Sequence, residues 1–192
     1  MYKIEKINDS IRIGSLDLTV FNEKQNFKQK RDCEKAGTLF LLKQLFPKKT
    51  ILLEYTENKK PYLRGENSHI SISHSHNKLV IITNTNESTG IDIELIRDKV
   101  KNVQNRFLND EELNFANGDI EVLTKLWAAK EAIYKAYGLK ELDFRKNILI
   151  EGCSKTANVF YGKIDTPKIK KKYLLTWEKT ENYILVYILN EI

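Results

Sequence analysis

Two segments of the chain carry groups that could act on a phosphate: Gly90-Ile91-Asp92-Ile93-Glu94 and Trp127-Ala128-Ala129-Lys130-Glu131-Ala132-Ile133-Tyr134-Lys135. Side chains alternate faces along a strand. A strand over the first segment therefore turns Asp92 and Glu94 one way and Ile91, Ile93 and Leu95 the other. The two acids then stand ~7 Å apart at the ordinary rise of a strand, which suits two ligands of one hard cation. Magnesium prefers oxygen ligands, keeps several waters and is held by one or two carboxylates plus substrate phosphate. A helix over the second segment sets Trp127, Glu131 and Lys135 on one stripe, with Lys130 leaning off beside Glu131. Alone, the first segment reads as the polar face of a strand. The second alone reads as a solvated helix pair, contributing only ~0.2–0.5 kcal/mol. Together they supply three carboxylates and neighbouring cations, the parts needed to hold a divalent metal against a phosphate ester.

A third segment, Ser71-Ile72-Ser73-His74-Ser75-His76, precedes Asp92 and offers hydroxyls, backbone amides and an imidazole able to donate to phosphate. Neither G-x-G-x-x-G nor G-x-x-x-x-G-K-[ST] occurs, so any phosphate must be met by side-chain cations and metal rather than by a glycine cradle. The absence of G-x-S-x-G argues against a Ser–His hydrolase.

The elements that must position these groups follow from periodicity. Residues 11–21 alternate loosely and predict a strand, and 24–46 predict one helix ended by Pro47. Ile51–Tyr55 predicts a short strand, Asn58–Glu66 a polar loop, and Ile70–Ser75 and Lys78–Thr83 two more strands. In the second half, Asn109 opens a short helix with Glu112 at the third position of a capping box. Residues 120–138 form the long helix, with Gly138 just past its end. Strands are expected at Ile148–Glu151, Tyr173–Glu178 and Tyr183–Leu189. Each half thus has one main helix and several strands, so the fold class is α+β, with halves at 1–98 and 99–192.

The chain has 192 residues, 41% of them hydrophobic, which allows one large domain or two small ones. Lys plus Arg number 32 against 26 acids, a net charge of +6 that favours an anionic partner without choosing one. A basic nucleic-acid-binding module is the alternative on charge, but no RNA-binding aromatic motif or helix-turn-helix signature supports it. Cys33 and Cys153 form no C-x-x-C, which argues against structural zinc, and a disulfide framework is not indicated. No signal peptide or membrane span is read, so a cytoplasmic location is expected. Lys168–Lys172 reads as a solvated turn.

Taken in order, Lys60-Pro61-Tyr62-Leu63, Ser71 to Ser75, Gly90 to Glu94, Arg106-Phe107-Leu108 and Trp127 to Lys135 resemble the 4′-phosphopantetheinyl transferase superfamily, in its Sfp-type branch. The resemblance implies two similar α+β halves related by a pseudo-twofold, with the active site in the cleft between them. It implies transfer of 4′-phosphopantetheine from coenzyme A to a serine of an acidic apo carrier protein, releasing adenosine 3′,5′-bisphosphate. The metal, Mg2+ or Mn2+, is expected on Asp92, Glu94 and Glu131. Asp92, Glu131 and Lys135 are the expected catalytic residues, with Glu112 a weaker candidate base. Lys35, Lys60, Ser73, His74 and Lys135 are expected at coenzyme A. Lys35 stands where an arginine is usual and gives up the bidentate fork for a point charge. The implied protein is a monomer with no nucleic-acid or membrane partner. A member that binds coenzyme A or a carrier without transfer is the second alternative, against which the intact acids and Lys135 speak.

Overall fold

The computed structural model describes residues 1–152 and 158–192; Cys153 lies outside them. The first part of the chain contains β1 (Tyr2–Lys6), β2 (Ile11–Asp17), α1 (Leu18–Gln25), α2 (Lys30–Leu45), β3 (Leu52–Tyr55), β4 (Pro61–Arg64), β5 (His69–Ser75) and β6 (Lys78–Asn84). The second contains β7 (Ile91–Leu95), a 3₁₀ turn (Asp98–Asn102), α3 (Gln104–Phe107), α4 (Asp110–Ala116), α5 (Ile120–Tyr137), β8 (Ile148–Glu151), β9 (Val159–Asp165), β10 (Lys170–Thr180) and β11 (Tyr183–Glu191). The fold is mixed α+β.

Strands β1-β2-β6-β5 make one antiparallel sheet, β7-β11-β10-β9-β8 a second, and β3-β4 a separate hairpin. Strand β6 shows how the layers arise. Its apolar residues are continuous because both faces are covered. Leu79 and Ile81 pack toward α2 with Leu41, Leu42 and Leu45, while Val80 and Ile82 pack toward Ile91, Ile93 and Tyr187 of the second sheet. The other face of the second sheet, with Phe160, Leu175 and Val186, packs on Ala128, Ala129, Ala132 and Ile133 of α5. Small residues on that face of α5 let the helix lie close to the strands.

The structure departs from the sequence expectations in several places. The expected strand over 11–21 stops at Asp17, whose carboxylate accepts from Thr19 N and Val20 N and so starts α1. The single helix expected over 24–46 is two, because Asn26 takes a left-handed conformation (φ 55°) and closes α1. The loop expected over 58–66 contains β4, and β1, β9, the 3₁₀ turn and α3 were not foreseen. Strand β7 falls before the expected boundary at 98, yet it hydrogen-bonds to β11 in the second sheet.

Candidate active site

The site begins with a glycine. A Cβ on Gly90 would lie 1.8 Å from Ala132 O, so only glycine lets the start of β7 touch the backbone of α5. Gly90 O also accepts from Ile188 N at 3.0 Å. This contact brings Asp92, two residues on, against Lys135, three residues beyond Ala132 in the helix. Lys135 Nζ donates to Asp92 Oδ1 at 2.6 Å and to Ile91 O at 3.1 Å.

On its other side β7 meets β5. Strand alternation turns Ser71, Ser73 and Ser75 inward, where all three are buried, and leaves His74 exposed. Ser73 Oγ donates to Asp92 Oδ1 at 2.7 Å, and Ser75 Oγ donates to Glu94 Oε2 at 3.2 Å. Ser73 therefore faces the acid and not the cleft in which coenzyme contact was expected. Glu94 Oε1 accepts from Trp127 Nε1 at 3.0 Å. Trp127 is itself fixed by an edge contact with Phe107 (ring centroids 4.9 Å apart) and by stacking on Phe144. The Arg106-Phe107-Leu108 segment thus serves the site through packing, with Phe107 and Leu108 buried.

The electrostatics are unbalanced toward negative charge. Asp92 is only 3% exposed, and its Oδ2 is buried with no hydrogen-bond partner. Burial, then the Asp92 charge, raises Glu94, with the Trp127 and Ser75 hydrogen bonds opposing. Burial first, then Asp92, pushes Glu131 up to about 7, while Lys135 pulls the other way. An all-oxygen set with one free buried carboxylate oxygen and excess negative charge fits a hard divalent cation. Among the described residues no three His, Cys, Asp or Glu side chains are arranged to enclose a metal. The fit therefore rests on donor chemistry and on the free oxygen, in keeping with an ion that retains much of its water.

Beside these groups opens a cleft of about 840 Å³, walled by α2, the β3–β4 hairpin, β5 and the C-terminal half of α5. Lys35, Lys60, His74, Glu131 and Lys135 all line it. Glu94 instead faces a smaller recess of about 180 Å³, shared with Arg97, Lys99 and Trp127. His74 Nδ1 lies 3.3 Å from Glu34 Oε1. Lys60 is held down: its Nζ donates to Ala136 O at 2.7 Å and to Ser88 Oγ at 2.8 Å, at the carbonyl end of α5. Burial, then Lys171, lowers its pKa. It passes where a side chain on Gly138 would stand (Cβ 2.2 Å from Lys60 Cδ), and Gly138 also takes the left-handed cap at φ 68°.

Sequence reasoning missed Arg31, Lys59 and Lys140, which add three more cations to the cleft, and Tyr55 and Tyr134, which add aromatic wall. Arg31 could have been found, since it precedes Lys35 by four residues and shares its helix face. Glu112 is corrected as a candidate base. Its carboxylate is 4% exposed and bonds Asn109 N, Ile150 N and, at 2.7 Å, Lys130 Nζ. Lys130, expected beside Glu131, is instead fully buried on the far side of α5, where it also donates to Phe144 O and Ile148 O. Burial pushes its ammonium below the usual range, against the pull of Glu112.

A family model described as the 4′-phosphopantetheinyl transferase superfamily matches residues 88–188, just over half of the chain. The match takes in β7, α5 and most of the second sheet. No curated protein matches the chain.

Proposed function

Since the chain belongs to the 4′-phosphopantetheinyl transferase superfamily, we propose that it moves 4′-phosphopantetheine from coenzyme A to a serine hydroxyl of an apo carrier protein and releases adenosine 3′,5′-bisphosphate. The observation that carries this reading is the convergence of Glu131 and Lys135 on a cation-rich cleft immediately beside the buried Asp92. The cleft volume is within the range of sites for small molecules and cofactors, ~300–1,000 Å³.

Lys35, Lys60, His74, Arg31 and Lys140 meet the phosphates of coenzyme A, taking the place of a glycine-rich cradle. Arg31 restores the bidentate donor that Lys35 lacks. Asp92, Glu94 and Glu131 would hold a divalent cation, Mg2+ or Mn2+. When bound, the metal supplies positive charge for the developing negative charge on the pyrophosphate. Lys135 keeps its ammonium on Asp92 and aims it toward the cleft, where it can meet the departing phosphate. Glu131 accepts the proton of the attacking serine. The recess on the other side of Glu94 carries Arg97 and Lys99, cations suited to an acidic carrier. No helix among the described residues is long and apolar enough to cross a membrane.

Incubation with coenzyme A, Mg2+ and a panel of apo carriers, read by intact mass, tests the proposal. A mass gain of one phosphopantetheine on the carrier serine is expected. No gain on any carrier, with coenzyme A demonstrably bound, would refute transfer and leave a binding protein.

A further inference from the structure

The three buried serines of β5 do more than line a turn. Ser71, Ser73 and Ser75 accept from Ile91 N, Ile93 N and Leu95 N at 3.2, 3.3 and 3.3 Å. Strand β7 is paired with β11 along its other edge. The hydroxyls therefore stand in for the carbonyls of a neighbouring strand at the seam between the two sheets. A hydroxyl that has accepted one hydrogen bond still has its own proton to give. Ser73 gives it to Asp92 and Ser75 to Glu94. Among the described residues Ser71 makes no bond to a carboxylate.

We infer that Ser73 and Ser75 are positioning residues, which fix the carboxylate orientation that Asp92 and Glu94 offer to a divalent cation. Ser73 and Lys135 both donate to Oδ1 of Asp92, so Oδ2 is left as its uncommitted oxygen. Ser75 and Trp127 hold one oxygen each of Glu94. Partners of this kind set ligand orientation, and their loss typically weakens metal binding ~10–100-fold. The inference rests on the reading of Asp92 and Glu94 as ligands. It gives Ser73 a role other than the 3′-phosphate contact that the resemblance implies.

The test is Mn2+ binding to the intact protein without coenzyme A, followed by electron paramagnetic resonance. Ser73→Ala is expected to weaken binding by about tenfold, at the low end of that range. Ser71→Ala loses the same kind of backbone bond but no carboxylate partner, and is expected to keep wild-type Mn2+ affinity. His74→Ala should keep it too. If Ser73→Ala does not fold, Ser73→Cys, close in size and a weak donor, carries the comparison. The transfer defect of Ser73→Ala should be equal with coenzyme A and with 3′-dephospho-coenzyme A. Wild-type Mn2+ affinity in the Ser73 variant, an equal loss in Ser71→Ala, or a defect confined to the 3′-phosphorylated substrate would each overturn the inference while leaving the metal reading intact. A wild-type protein that fails to bind Mn2+ overturns both.

Discussion

Glu131 should weaken the fold that carries it. Its carboxyl is raised from 4.5 to about 7, chiefly by burial and then by the neighbouring Asp92. A carboxyl whose pKa is higher in the folded chain favours the folded state only while protonated. No penalty exists below the unfolded value. The penalty grows as pH rises from 4.5 toward 7 and levels off above that. From the size of the shift it reaches about 3 kcal/mol at pH 8. Glu131→Gln removes the charge and keeps the shape. In metal-free protein at pH 8 it should therefore raise stability by up to that amount. For a chain of this size that corresponds to a Tm increase of ~6–12 °C. Most of the gain should be absent at pH 5. Thermal unfolding followed by circular dichroism, with chelator present and at several pH values between 4.5 and 8.5, measures it. Adding Mg2+ at pH 8 should narrow the gap, because a ligand of the folded state stabilises the wild type by mass action. A difference between variant and wild type that does not change with pH would refute the reasoning, as would a variant less stable at pH 8.

Further substitutions probe the site and the contacts that hold it. Asp92→Asn keeps an acceptor for Ser73 and loses the charge that Lys135 pairs with; transfer should fall below detection in the intact-mass assay with only a small change in Tm, and near-normal turnover would remove Asp92 from its assigned role. Lys130→Ala strands the buried Glu112 and should cost ~3–5 kcal/mol of stability, measured by denaturant titration; a Glu112→Gln protein that stays stable yet transfers nothing would return Glu112 to the catalytic candidates. Gly90→Ala forces a methyl group into Ala132 O, so at least the ~1–3 kcal/mol of an overpacked core is expected from Tm, and an unchanged Tm would show that the strand and helix need not touch.

The parts of the site that were legible in the sequence are those set by short-range rules. The Asn109–Glu112 capping box formed as its spacing predicts, and both bonds of the box are present. Gly138 ends α5, as a glycine after a long amphipathic run should. The alternation of Ile91, Asp92, Ile93 and Glu94 placed the isoleucines in the apolar layer between the sheets. The missed elements lack such signals. Strand β1 is a mostly exposed edge strand whose short apolar face is only Tyr2 and Ile4, and β4 buries only Leu63 among polar neighbours behind Pro61. The strand expected before α1 runs too long because the chain turns from strand to helix at Asp17 with no glycine or proline to mark it, whereas the strand after α2 lies at Leu52–Tyr55 as expected.

What the sequence hid most completely was which way each polar group faces, and the reason lies in the seam between the sheets. A polar residue on a strand with one solvated face should point outward, and on that rule Asp92 would be exposed. It is buried because the edge of β7 left open by β11 is closed by serine hydroxyls rather than by a backbone. Hydroxyls, unlike carbonyls, both accept from the strand and donate to its acids. The same seam explains why Ser73 was assigned to the cleft and found behind it. Periodicity puts the side chains of Ser73 and His74 on opposite faces of β5. His74 faces the cleft and Ser73 the acids. A strand that serves two sides of a site in this way needs short hydroxyls at every second position, and β5 has them at 71, 73 and 75.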